Sequence, residues 1–228
     1  MPESMTSRLT PTARHRDTTA LVLATLAAVV LAACGGGGPL DNAPTLANAT
    51  GAGAGVSGQT LSFAYFQECV KPMITQPLPA ADGSGTNTCS SSGCHDNAYG
   101  TGGALRLLGS ANKVKVASVV AASASSPEAA VVRASEMIYR NFYSALGETV
   151  VNAPDQSRLL NKPLVRGVLH GGGLIFASPD DEAAKRIRYW INRPMPQGQD
   201  EFSEAAFSMF DPPFDKKPGR AFGACNSN

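Results

Sequence analysis

Cys89, Cys94 and His95 stand in the string CSSSGCH, two thiols and an imidazole within seven residues. Two thiols can add across the vinyl groups of a haem, and a histidine directly after the second thiol then lies under the iron. The usual spacing for that chemistry is C-x-x-C-H. Here four residues part the thiols, and all four (Ser90, Ser91, Ser92, Gly93) are small, so the surplus can loop out without moving either thiol far. Two other chemistries use the same atoms. In an oxidising compartment Cys89 and Cys94 can close a short disulfide, with His95 a bystander. Two thiols and two histidines can also hold a structural zinc ion. Zinc ranks last, because exported thiols tend to oxidise before they meet metal.

Histidine is scarce: the chain has three. His15 sits in a basic leader, so a mature chain keeps His95 and His170. His170 lies in LHGGG, where Gly171, Gly172 and Gly173 let the backbone turn tightly and approach a flat ligand closely. With His95 as proximal and His170 as distal ligand, both axial positions of an iron are closed. That points to electron transfer and away from an enzyme; a peroxidase or ligand-sensing role returns only if the distal position opens. Met195 is the competing distal ligand, since methionine partners histidine in many soluble cytochromes c. It follows the last long helix, between Pro194 and Pro196, on the wrong side of that helix. Met73, Met137 and Met209 are read as core fillers. Arg106, Lys162 and Arg166 could pair with haem carboxylates, solvated surface charge being the default reading.

The N-terminus reads as an address. A basic stretch, Arg8 to Arg16, precedes a largely apolar run of fourteen residues, Ala20 to Ala33. That is too short for a membrane-spanning helix and suits the core of a secretory signal peptide. Leu31-Ala32-Ala33-Cys34 resembles the bacterial lipobox, which implies cleavage before Cys34 and acylation of its thiol. Gly35 in place of aspartate implies, in a Gram-negative cell, the outer membrane. Residues 34–60 are small, polar and broken by glycine and proline. They cannot bury enough apolar surface to offset their ordering entropy. Such a tether holds its ends about 25–30 Å apart.

Charged residues make up 16% of the chain, against about a quarter in ordinary soluble domains. Past residue 17 basic and acidic groups balance at 16 each, and the formal net charge of +1 gives no reason to expect nucleic acid. Five cysteines minus Cys34, Cys89 and Cys94 leave Cys69 and Cys225. Outside the cytoplasm an even remainder suggests a disulfide tying the tail to the first helix, two free buried thiols being the alternative.

The elements that must position these residues are helical. Phe63, Phe66, Val70 and Met73 recur at helical spacing over Leu61 to Ile74, with Pro72 marking a kink or last turn. Ala104 to Leu108 is short and apolar, and Val114 to Ala122 leans to helix. Ser126-Pro127-Glu128 opens the best helix, with Val131, Ala134, Ile138, Phe142 and Ala145 on one face and Gly147 as its stop. A shorter helix fits Asp155 to Lys162. Another opens at Ser178-Pro179-Asp180 and ends at Pro194, with Ala184, Ile187 and Ile191 on one face. Tyr189 and Trp190 pack against the first helix or the cofactor edge. The tail holds at most a turn or two near Phe202. No strand alternation and no repeat stands out.

In order, CSSSGCH, GGALRLLGS, SRLLNKPL, HGGG and RYWI resemble the cytochrome c-like domain of exported bacterial c-type cytochromes of planctomycete type. The likeness covers about Cys89 to Ile191. It implies Cys89 and Cys94 as thioether residues, His95 as proximal ligand and His170, in the loop before the C-terminal helix, as distal ligand. The helix at 127–146 and the tail after Pro194 have no counterpart in that pattern. The expectation is an all-α, cytochrome c-like domain over 61–228 around one covalent haem c, behind a signal peptide (1–33) and a tether (34–60). It is a lipid-anchored, periplasmic or surface-facing one-electron carrier with a redox protein as partner and no small-molecule substrate. The alternative is a haem-free surface lipoprotein, stapled by disulfides, that binds a protein or glycan.

Overall fold

Ser62 opens the first helical segment: its hydroxyl accepts from the Tyr65 amide at 3.0 Å and caps it. In the computed structural model, residues 58–79, 83, 85–123 and 126–228 are described. The expected signal peptide, Cys34 and the tether up to residue 57 lie outside them. The chain divides into two units, Met1–Gly38 and Pro39–Asn228, and every described residue belongs to the second.

The first segment runs as α1 (Phe63–Tyr65), a π-helical turn (Phe66–Val70) and α2 (Lys71–Thr75). The widened turn comes just ahead of Pro72, which has no N–H for the Glu68 carbonyl and crowds it. Next come a two-residue ladder, β1 (Leu78–Pro79) on β2 (Thr86–Asn87), and α3 (Val116–Ala121). The single helix expected at 127–146 is two, α4 (Pro127–Ser135) and α5 (Met137–Leu146), parted by an extended Glu136. The reason is rotational. α4 buries Ala129 and Val132, whereas α5 buries Ile138, Asn141, Phe142 and Ala145. At about 100° per residue, Val132 and Ile138 would lie about 120° apart around one straight helix. Breaking at Glu136 lets both faces reach the core and leaves Val131 exposed.

The helix expected at 155–162 is a 3₁₀ turn (Pro154–Gln156) followed by α6 (Arg158–Asn161). The last long helix, α7 (Glu182–Ile191), starts later than Ser178 because Asp181 caps it, accepting from the Ala183 amide at 2.9 Å. The tail carries a 3₁₀ segment (Glu204–Met209) and a ladder of β3 (Phe210–Asp211) on β4 (Ala224–Cys225). Among the described residues the four strands hold two residues each, and helices and loops make up the rest.

The core is aromatic. Phe63 meets Tyr139, Phe142 and Phe202, each with ring centres 5.5 Å apart, and Phe66 packs on Phe142 and Trp190. Trp190 is fully buried and donates from Nε1 to the Ser62 carbonyl at 2.9 Å, so α7 is pinned to the first segment. Tyr189 packs on Tyr65 of the same segment. A disulfide joins Cys69 to Cys225. Met195 is buried beyond the end of α7, where its amide donates to the Thr60 carbonyl at 2.8 Å. No helix among the described residues is long and apolar enough to cross a membrane.

Candidate functional site

The loop of CSSSGCH closes on itself. The His95 amide donates to the Cys89 carbonyl at 2.9 Å and the Cys94 amide to the Ser91 carbonyl at 2.9 Å. Between the thiols Ser90 and Ser91 are half-buried and Ser92 and Gly93 exposed, and Cys89 and Cys94 are free and half-buried. Burial, with the neighbouring Cys94 adding to it, pushes the Cys89 thiol up to about 11, so it is a neutral S–H at neutral pH.

His95 is fixed through the segment 105–108. Its Nδ1 lies 3.2 Å from the Leu105 carbonyl oxygen, and its own carbonyl accepts from the Leu107 amide at 2.7 Å. That segment is in turn stitched to α5. The buried Asn141 amide donates to the Leu108 carbonyl at 2.9 Å and accepts from the Leu108 amide at 2.7 Å; Ser144 Oγ accepts from the Arg106 amide. The short apolar stretch therefore acts as a splint between α5 and the histidine. Asn141 and Ser144 escape a reading by apolar pattern, although a polar residue on the core-facing side of an amphipathic helix is the signal that marks such a splint.

His170 is held in the same way by a different loop. Its Nδ1 lies 2.8 Å from the Gly173 carbonyl oxygen, and the Gly173 amide donates back to the His170 carbonyl at 2.9 Å. Gly173 has φ +71°, a conformation costly for a side-chain-bearing residue. The Ile175 amide donates to the Pro163 carbonyl at 2.8 Å and ties the far side of the loop to the end of α6.

The two imidazoles face one another across a cavity of about 390 Å³, walled among others by Cys89, Cys94, Gly102, Lys162 and Ile175. Their planes lie 16° apart and their centres 6.3 Å apart. This is too far for ring-on-ring contact. It is the distance expected of two imidazoles on opposite sides of one metal, given a metal–nitrogen bond of about 2 Å and about 1.1–1.2 Å from nitrogen to ring centre. With both Nδ1 atoms at backbone carbonyls as N–H donors, both Nε2 lone pairs are left for a ligand. Burial holds His95 below its ordinary pKa, with His170, Lys162 and Arg106 acting the same way and the Leu105 bond opposing, so the ring is neutral and able to ligate. The cavity volume falls in the range of cofactor pockets, about 300–1,000 Å³. Ring spacing, free Nε2 atoms, free thiols and volume all fit a haem.

Met195 is not among the residues lining this cavity, and the tail beyond α7 holds it elsewhere. Among the described residues, no three His, Cys, Asp or Glu side chains converge as a metal-binding group, so the tetrahedral Cys₂His₂ arrangement is not formed. Lys162 lines the wall, whereas Arg166 is paired with Asp155 at 3.1 Å on the surface. Arg106 is not in the wall, and its buried Nη1 has no hydrogen-bond partner among the described residues.

No family model matches the chain, and no curated protein and no solved structure is significantly similar to it.

Proposed function

We propose that this chain is a monohaem c-type cytochrome, exported and held to a membrane through lipid on Cys34, which carries single electrons outside the cytoplasm. The observation that carries the reading is the His95–His170 pair, near-parallel at 6.3 Å with both Nδ1 atoms at backbone carbonyls. Cys89 and Cys94 would hold the haem by thioether bonds, and His95 and His170 would ligate through Nε2. A haem held there supplies a one-electron iron couple. The carbonyls of Leu105 and Gly173 fix which nitrogen of each ring is free, and Lys162 offers a cation to the cofactor's carboxylates. A haem held by His95 and His170 together would supply electron passage there rather than chemistry on a bound substrate. The fold class (an all-α cytochrome c-like domain) belongs to the same proposal, as does a redox protein as partner. Export and lipidation rest on the N-terminal sequence pattern alone.

The test is direct. The full chain is made in cells with a c-type haem maturation system, and the denatured protein is examined by haem-peroxidase staining and intact mass. The expected product carries one haem that survives denaturation and is lost in a Cys89→Ala, Cys94→Ala variant. A colourless protein with Cys89 bonded to Cys94 sinks the reading in favour of the haem-free, disulfide-stapled lipoprotein.

A further inference from the structure

Glu148 is a carboxylate the proposed electron carrier does not require, and it stands on the wall of the site. It follows the end of α5, and its carbonyl accepts from the Leu159 amide at 2.9 Å, which holds it beside α6. A smaller cavity of about 30 Å³ is lined by Glu148 with His95, His170, Arg158, Lys162 and Leu105, and it shares Cys89, His95, Gly102, Lys162 and His170 with the larger one. Among the described lining residues of both, Glu148 is the one acid. The charged groups facing it are Arg158 of α6 and Lys162 just beyond; the titratable neighbours in the wall are Cys89 and the two imidazoles. Its carboxylate has no hydrogen bond or ion pair among the described residues, with either imidazole or with either cation. Burial already holds its carboxyl above the ordinary value, against the pull of Lys162 and Arg158.

Resting on the reading of the site as a haem electron carrier, we infer that Glu148 takes up a proton when the site takes up an electron. A one-electron reductant, small molecule or protein, delivers the electron, and the charge of the site falls by one. A half-buried carboxylate beside that new charge is repelled, since Coulomb energy is weakly screened away from bulk water. A hydronium ion from solvent gives its proton to a Glu148 oxygen; an O–H bond forms there, and the water left behind returns to bulk. Charge is then balanced, and the driving force for reduction depends on pH. The sign follows: reduction raises the affinity of Glu148 for a proton, so the potential falls as pH rises between the proton affinities of the oxidised and reduced states.

The experiment is a potentiometric titration of the haem-loaded full chain from pH 4.5 to 8.5. The wild type is expected to show a window above the ordinary carboxylate range in which the potential falls by close to one proton per electron. Glu148→Gln is expected to remove that window and hold the potential at the acid-limit value of the wild type. Glu148→Asp keeps a carboxylate at shorter reach and is expected to shift the window, so it serves if the glutamine variant does not fold. A loaded protein whose potential is flat with pH, or whose window is unmoved in the variants, overturns the inference and leaves the electron carrier standing. A chain that takes up no haem overturns both.

Discussion

A Cβ atom on Gly102 would lie 2.6 Å from Cε1 and 2.7 Å from Nδ1 of His95. It would also meet the Cys94 carbonyl oxygen at 2.8 Å, which already accepts from the Gly102 amide. Glycine at this position is thus what seats the ring against Leu105. Gly102→Ala should displace His95, costing about 1–3 kcal/mol in stability. In haem-loaded protein it should replace a low-spin ferric spectrum with a partly high-spin one. A low-spin spectrum unchanged by Gly102→Ala would remove the seat from the account.

His170 and Met195 differ in place: His170 lines the cavity, whereas Met195 is buried in the core beyond α7. His170→Ala should abolish the low-spin spectrum, and added imidazole should restore it. Met195 is 2% exposed and outside the cavity wall. Met195→Ala should keep the spectrum and cost about 2–5 kcal/mol in chemical unfolding, as a buried truncation does. A spectrum that changes with Met195→Ala and not with His170→Ala reverses the assignment.

The residues that meet around the cavity, Cys89, Cys94, His95 and His170, were legible in the sequence because their types are rare and their spacing constrained. Two thiols five positions apart with a histidine adjacent, and one further histidine in a glycine run, leave few ways to be arranged. The residues that hold them were not. Asn141 and Ser144 look like ordinary polar positions on α5 until Leu108 and Arg106 are brought against them, a contact more than thirty residues away in sequence. The break at Glu136 has no glycine or proline to announce it; it follows from two buried faces that one helix axis cannot serve. Ser178-Pro179 carries the start signals of a helix, yet the helix waits for Asp181, whose carboxylate reaches the Ala183 amide. Glu148 gives no signal at all, because its importance lies in being the acid among the cavity's described lining residues.

Arg133 gives a pH prediction. Its Nε donates to Glu201 Oε1 at 2.7 Å and its Nη2 to Asp200 at 2.9 Å, while Tyr139 Oη donates to the same Glu201 oxygen at 2.8 Å. Burial alone would raise the Glu201 pKa, but the bonds from Arg133 and Tyr139 outweigh it and hold the carboxyl below its ordinary value. A depressed carboxyl stabilises the fold above its unfolded pKa, about 4.3, and that contribution is lost as pH falls through the folded value. Urea unfolding from pH 7 to pH 3 should show an acid-side loss of stability. Glu201→Gln should be less stable at pH 7 by about 1–3 kcal/mol and should lose less on acidification. An acid limb unchanged in the variant would assign that loss to other carboxylates.

The link between Cys69 and Cys225 spans 156 residues with Cα atoms 5.8 Å apart. Closing so long a loop restricts the unfolded chain strongly, by about 5 kcal/mol in the chain-entropy account, and measured losses run about 2–5 kcal/mol. Locally the tail has further holds: the Tyr65 hydroxyl donates to the Asn226 carbonyl, and Phe207, Phe210, Phe214 and Phe222 pack on one another. These contacts bind the tail to itself and to α1. The disulfide alone ties it covalently to the π-helical turn. Cys69→Ala with Cys225→Ala should therefore lower the unfolding midpoint and speed hydrogen exchange and proteolysis over 210–228. Neither cysteine lines the larger cavity, so the spectrum of haem-loaded protein should stay as it is. A variant with a changed spectrum and an unchanged tail would mean that the bridge acts on the site and not on the tail.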